Sequence, residues 1–275
     1  MVYLIKKVLE SNCTTEEMLW MDTVITSSQQ NERLLQLAFV TVPKYIQKSH
    51  IALDKNMEKQ FSDTVRFLPE GWTLHTFARV YILLHFKTDD EKKYVNVLKT
   101  LFETAEMNEL ASLNSSLSLL HYPENWLEYA KEGVRSNMGP VFDAIVFNNP
   151  YPAKYFDEEA WNQMVLKTIF SGKSIQKIKG LIERSNPRLA FMISDFAHER
   201  WAAGRTISPQ VWALVAPFID NQLIKDIEKL FLSENKQDQK GAKLSCMHSD
   251  FAPAKDLLKK YKTNFTTENI EWANL

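Results

Sequence analysis

Apolar residues return every three or four positions along most of this chain, the repeat that lays a stripe along an α-helix. Alternating β-branched runs bounded by turn residues are nearly absent. Thr14-Thr15-Glu16-Glu17 opens a helix as a capping box, with Met18, Leu19, Met21 and Ile25 behind it. Asn31 to Lys48 reads as a second helix, which Pro43 should kink or break. Thr73 to Phe86 is apolar nearly all round and predicts a central, buried helix. Within it Arg79 is expected to join a buried polar network, and His85 to be a satisfied core residue. Asp89 to Glu103 and Ala105 to Leu120 follow as helices.

Proline marks the first helical position at Pro123, Pro140, Pro187 and Pro209, the last behind Ser208 as N-cap. Asp157-Glu158-Glu159 places acids at the positive end of another helix. The pattern predicts an all-α fold of about a dozen helices. It leaves open an α-superhelix of the HEAT or armadillo type and an irregular helical bundle. Ser233 to Gly241 is polar and charged and reads as a linker. The domain expectation is therefore an all-α domain over 1–234 and a polar linker with a loosely attached tail over 235–275. That tail holds one short helix, Pro253 to Tyr261, and two late aromatic anchors, Phe265 and Trp272.

Polar residues on apolar faces carry the candidate chemistry. At about 100° per residue, Asn137 falls inside the stripe of Trp126, Tyr129, Ala130, Gly133 and Val134 on a helix running from Pro123 to Met138. Asn162 lies in the apolar arc of Glu158 to Phe170, beside Trp161. Arg200 sits at the centre of the stripe Leu189, Met192, Ile193, Phe196 and Ala203 on Pro187 to Ala203, with Trp201 next to it. Burying an amide or a guanidinium without partners is costly, so Asn137, Asn162 and Arg200 are expected to turn inward and be satisfied there. Asp143 is the expected carboxylate for Arg200, and Asn148 and Asn149 end their helix toward the same region. Two readings stay open, a sealed hydrogen-bond network that fixes helix register and a pocket that orients a small ligand.

Asp195 and Glu199 lie one turn apart, with Arg188 two turns before Asp195, the spacing of a salt network. His198 projects roughly 80 to 100° from Glu199, so the two cannot chelate one ion from a regular helix, and no metal site is expected. His198 and Asp195 are the candidates for acid–base work, although no orienting carboxylate for His198 is visible in its own helix. No nucleotide, cofactor or nucleophile motif occurs.

Composition narrows this picture. Of 275 residues, 45% are apolar and 24% charged, and 33 basic residues nearly balance 34 acidic ones, so no global field attracts nucleic acid. Lys255 to Lys262 reads as a solvated helix face. Two distant cysteines, Cys13 and Cys246, suit a reducing compartment. No signal peptide is seen and no apolar run reaches the roughly 18 residues that span a bilayer. The expectation is a cytoplasmic protein without stable membrane insertion.

Four segments carry a resemblance: Gly71–Leu84 (GWTLHTFARVYILL), Glu132–Ile145 (EGVRSNMGPVFDAI), Asn148–Lys167 (NNPYPAKYFDEEAWNQMVLK) and the block from Asp195 to Arg205. With them the chain resembles the EboA family, from about Thr14 to Asp220. The resemblance implies a place in a bacterial and algal gene cluster, beside a UbiA-like prenyltransferase, metal-dependent hydrolase-like proteins and a sugar-phosphate cyclase-like protein. That cluster is associated with making or moving a small metabolite toward the cell envelope. The resemblance does not choose between accessory and catalyst; the absence of a catalytic constellation and the α-superhelix expectation favour an accessory protein that binds a small, anionic metabolite or scaffolds other proteins of the cluster, without a cofactor. The ligand residues would be Asn137, Asn148, Asn149, Trp161, Asn162, Arg200 and Trp201. The alternative is a small-molecule enzyme using a pocket around Asn137, Asn162 and Arg200.

Overall fold

The computed structural model describes residues 1–29, 31–65, 67–261 and 271–275. Among them the chain is all-α, with fifteen α-helices, short 3-10 turns, and isolated bridges at His50–Thr73 and Phe147–Ile178 in place of any strand. None of the described helices is long and apolar enough to cross a membrane. Two compact units emerge, Met1–Ala160 with Lys177–Lys179, and Trp161–Gln176 with Gly180–Leu275.

Unit 1 contains α1 (Val2–Asn12), α2 (Thr15–Ser28), α3 (Glu32–Tyr45), α4 (Lys55–Val65), α5 (Leu74–His85), α6 (Glu91–Thr104), α7 (Met107–Ser116), α8 (Leu127–Arg135), α9 (Gly139–Val146) and α10 (Tyr151–Tyr155). The helix expected at the centre is there: α5 packs against α1, α2, α3 and α7 and buries Phe77, Val80, Ile82 and Leu83. The capping box also forms. Thr14 and Glu17 bond each other's backbone N–H, and the second Glu17 oxygen accepts from Gln47 N at 2.6 Å. His85 is satisfied by the Tyr81 carbonyl at 2.8 Å.

Pro43 does not break α3, which runs on to Tyr45. Proline lacks the N–H that would have bonded the carbonyl four residues earlier, that of Phe39. Arg79 fills the gap, its Nε donating to the Phe39 carbonyl at 3.1 Å from α5. The same guanidinium pairs with Glu109 at 3.6 Å, reaches the Asn108 carbonyl at 3.4 Å, and lies over the Phe39 ring. Burial holds the Arg79 pKa below its usual value, partly offset by Glu109 and Glu106. Arg79 thus joins α3, α5 and α7 through one buried cation, with Phe39, Asn108 and Glu109 as partners in place of the expected Asn137, Asn162 and Arg200.

Two expectations about helix ends are corrected. The helix expected from Pro123 to Met138 is a 3-10 turn, Pro123–Trp126, followed by α8, which stops at Arg135. Ser136 then accepts from Met138 N at 3.0 Å, leading into α9. Asn137 sits in this turn and is exposed, because its angular position on a helix has no meaning once the helix has ended.

Unit 2 holds α11 (Glu158–Phe170) from Trp161 onward, α12 (Pro187–Ala202), α13 (Ile224–Phe231), α14 (Lys236–Met247) and α15 (Ala252–Lys260). The expected linker is the start of α14. Asn235 caps it by accepting from Gln237 N at 2.9 Å, and Ser233 donates to the buried Asp238 at 2.8 Å. The polar composition belongs to a cap and a first turn. Beyond it Ala242, Leu244 and Cys246 are buried, and α14 packs against α13, α15 and the 3-10 turn Pro209–Leu214. Gly241 permits that last contact, since a Cβ there would come within 3.3 Å of Pro209. The segment is therefore an integral part of unit 2 and no loose tail up to Tyr261. The expected anchor Phe265 and the last lysine of the basic run, Lys262, lie outside the described residues.

The shared carbonyl makes a specific prediction. Arg79→Met should destabilise unit 1 by about 3 kcal/mol, because Glu109 and the Phe39 carbonyl lose their buried partner. A Pro43→Ala background restores a backbone N–H that can return to the Phe39 carbonyl, so there the same substitution should cost less by about 1 kcal/mol. Urea unfolding of the four proteins measures this coupling, and equal costs in both backgrounds would show that Arg79 does not replace the missing helix bond.

Candidate functional site

Unit 1 contains a cleft of about 630 Å³ walled by α3, α5, α7 and α9. The first turns of α5 and α7 open into it, bringing Thr73, His75, Thr76, Glu106, Asn108 and Glu109 to its surface. Both helix starts are capped: in α5 Leu74 N donates to the Ser49 carbonyl and Thr76 N to the Thr73 hydroxyl, and in α7 Glu106 and Glu109 form a capping box. Lys48, Arg79 and Lys177 add cations, while Glu70, Glu106, Glu109 and Asp143 add carboxylates.

Several of these charges are held in place. Glu70 accepts from Lys177 Nζ at 2.7 Å and from Asn148 Nδ2 at 2.8 Å. These bonds and the Lys177 charge hold the Glu70 carboxyl below the usual glutamate range, against the opposing effect of burial. His75 Nε2 lies 2.9 Å from the Ile46 carbonyl, which can only accept, so Nε2 carries a proton and Nδ1 is the site of the second. Burial pushes the His75 pKa down, Arg79 and Lys48 push it further, and the Ile46 bond opposes them.

Asn148 and Asn149, both expected at the site, have different tasks. Asn148 adopts a left-handed backbone (φ 55°), tolerated by asparagine, and donates its N–H to the Lys177 carbonyl at 2.8 Å. Its side chain lines the cleft and orients Glu70. Asn149 turns away into the core, donating to the Asn114 and Ala144 carbonyls, both at 3.0 Å, and accepting from Tyr151 N. It ties α7, α9 and α10 together and is consumed by that structural work. Asp143 lines the cleft as well.

In unit 2, Asn162 is buried as expected, but its amide exchanges hydrogen bonds with Asn186 at 2.9 and 3.2 Å. Asn186 also caps α12 by accepting from Leu189 N. This pair fixes α11 to the start of α12. Trp161 is fully buried beside it, its ring covered by the Arg184 guanidinium at 4.7 Å.

The buried face of α12 is Leu189, Ala190, Ile193, Ser194 and Ala197. The apolar stripe is rotated from the expected one toward these small residues, which allow close packing, and Arg200 is left half-exposed on the flank. Its Nε donates to the Thr206 carbonyl at 3.1 Å and its guanidinium lies 5.9 Å from the Phe196 ring centre. Trp201 is also half-exposed, stacked on the buried Trp212 and capped by Lys229 at 4.2 Å. Asp195, Glu199 and Arg188 are exposed, and among the described residues no ion pair joins them, so the expected salt network is absent.

His198 does gain a carboxylate, from another helix. Its Nε2 lies 2.6 Å from Asp226 Oδ1, and Ser194 donates to Asp226 Oδ2 at 2.5 Å. Asp226 on α13 is buried between them, so this chain of bonds clamps α12 to α13. Ser194 and His198 meet different oxygens of the carboxylate, and no bond joins the hydroxyl to the imidazole. This is not the order of a nucleophilic triad, in which the imidazole stands between the other two. Among the described residues no group of three metal-ligating side chains comes together.

Residues 1–216 match the family model for metabolite traffic protein EboA. Neither a curated protein nor a solved structure matches the chain.

The cleft's electrostatics predict a titration. Glu70 should protonate below the ordinary glutamate pKa of about 4.3. Its stabilising contribution is then present above that value and lost as pH falls through the lowered one, and it is small because the pair is substantially exposed. Lys177→Met should raise the Glu70 pKa toward normal, and Asn148→Ala should raise it less. Carboxyl-detected NMR titration reads both, and an unchanged Glu70 in Lys177→Met would contradict the assignment.

Proposed function

The chain belongs to the EboA family, and we propose that it carries a small polar metabolite in the cleft of unit 1 rather than transforming it. The observation that supports this is a recess of about 630 Å³ with charged groups fixed by protein partners before any ligand arrives. A ligand entering it meets oriented donors and acceptors that have little freedom left to lose, which keeps the ordering cost of binding low. His75, Lys48 and Lys177 suit a carboxylate or phosphate, and Glu70, Glu106 and Asp143 suit hydroxyl or amino groups on the same molecule. The buried cation Arg79 supports the wall through Phe39 and Glu109 and contributes its charge without being freely available.

Traffic also needs a donor and an acceptor for the cargo, and other proteins of the same gene cluster are the proposed ones. The enzymatic alternative draws on Asn137, Asn162 and Arg200 acting together. Asn137 is exposed in a turn and the Asn162 amide is occupied by Asn186, which removes the support for that arrangement.

The test is to purify the protein gently from its native host and release bound small molecules by denaturation for mass spectrometry. A polar metabolite should appear in near-stoichiometric amount and fall about tenfold in Lys177→Met, matching the loss of one ionic hydrogen bond. Anion binding favours protonated His75, whose pKa is held low. Affinity should therefore strengthen as pH falls below about 6.5, and this dependence should vanish in His75→Ala. Recovery of no small molecule, together with no saturable binding when the released host metabolite pool is added back, would overturn the reading.

A further inference from the structure

Unit 2 has its own recess, of about 420 Å³, on the flank of α12 where Arg200 lies. Its chemistry differs from that of the unit 1 cleft. The lining contains Lys173 and Arg200 and no carboxylate side chain. In a chain whose basic and acidic residues nearly cancel, a concavity lined by the Arg200 guanidinium and by no carboxylate side chain favours an anion.

Arg200 is prepared for a ligand. Its Nε is fixed to the Thr206 carbonyl at 3.1 Å, which sets the guanidinium plane. Among the described residues the two terminal nitrogens make no hydrogen bond or ion pair, and they form the edge that grips a carboxylate or phosphate through two parallel bonds.

Beside it stands an aromatic platform. Phe196, one turn before Arg200, packs on Phe170 at 4.1 Å between ring centres with a 36° tilt. Phe170 ends α11 with 56% of its surface exposed, an apolar area that is stabilised when covered. The chain escapes past it through Gly172, whose left-handed backbone (φ 64°) is open to glycine, and a Cβ there would meet nothing within 4 Å.

We propose that this recess is a second binding site, for a molecule that joins a flat, unsaturated body to a carboxylate or phosphate. The body lies on Phe170 and Phe196, and the anion takes the free edge of Arg200. The site is independent of the unit 1 cleft, and neither inference rests on the other.

The experiment titrates the full-length protein with three probes of one shape: 2-naphthoate, 2-naphthyl phosphate and the neutral 2-naphthalenemethanol. NMR follows the Arg200 Nε–H and the phenylalanine ring signals. Both anions should saturate, shift Arg200 and Phe170 together, and bind at least about tenfold more tightly than the neutral alcohol. The stronger of the two anions identifies the preferred acid. Arg200→Met should lose about tenfold in anion affinity and little for the alcohol, with Arg200→Lys in between because it keeps the charge without the fork. Phe170→Ser, at an exposed position, should weaken all three probes. Equal binding of the alcohol, or naphthoate binding unchanged in Arg200→Met, overturns the proposal. So does self-association that Phe170→Ser abolishes while no probe binds, since the face would then be an interface between copies. Loss of binding in Lys177→Met alone would place the probes in unit 1 and overturn it equally.

Discussion

A single buried guanidinium holds the wall of the unit 1 cleft together. Pro43 deprives the Phe39 carbonyl of its helix partner, and a buried carbonyl left alone costs about 1–3 kcal/mol. Arg79 satisfies it, but only by entering the core as a cation, which demands a carboxylate in turn. Glu109 supplies that charge from α7. Each residue is a liability by itself: a proline in a helix, a charge in an apolar helix, an acid at the edge of a core. Together they cancel, and the cancellation works in one relative placement of α3, α5 and α7. Hydrophobic packing alone tolerates sliding of such helices, whereas this set of directional bonds does not.

That constraint shapes the site. The first turns of α5 and α7 face the cleft because Arg79 holds the two helices beside each other, and Glu109 is at once Arg79's partner and part of the α7 first turn. Elsewhere on the rim the Glu70–Lys177–Asn148 group depends on the left-handed backbone of Asn148 and the bond from its N–H to the Lys177 carbonyl. The recess thus combines two polar clusters, in each of which a cation meets a carboxylate. Such an arrangement has several charged and polar groups and no single dominant charge.

What is legible in the sequence is local. The Thr14–Glu17 capping box, the buried helix at Thr73–Phe86 and the bounds Glu158–Phe170 follow from spacing within one turn or one helix, and they hold. Asn137 departs from expectation because projection around a helix presupposes the helix, and α8 ends two residues before it. Arg200 departs for a subtler reason. The apolar arc of α12 is wide, and whether Phe196 or Ala197 marks its centre depends on what packs there; the small residues Ala190, Ser194 and Ala197 win because they admit closer contact. Ser233–Gly241 reads as a linker because caps and linkers draw on the same polar residues. The cleft itself gives no local signal, since its bonds join residues 78 and 107 positions apart, Asn148 to Glu70 and Lys177 to Glu70.

Sequence proximity misleads in one further way. The dense block around His198 draws attention as chemistry, yet its carboxylate, Asp226, is spent on Ser194 and His198 together and serves to clamp two helices. Two residues further on, Arg200 has only its Nε occupied. The contrast gives a criterion for telling structural polar groups from functional ones in this fold. Asn162, Asn149, Arg79 and Asp226 are buried and have their hydrogen-bonding capacity used by the chain itself, so each fixes helices. Arg200 is half-exposed, pre-oriented by one bond, and lines a recess that holds no acid to neutralise it. A guanidinium oriented at a cost in side-chain entropy, with its strongest donors left over, is the condition in which an external anion adds most.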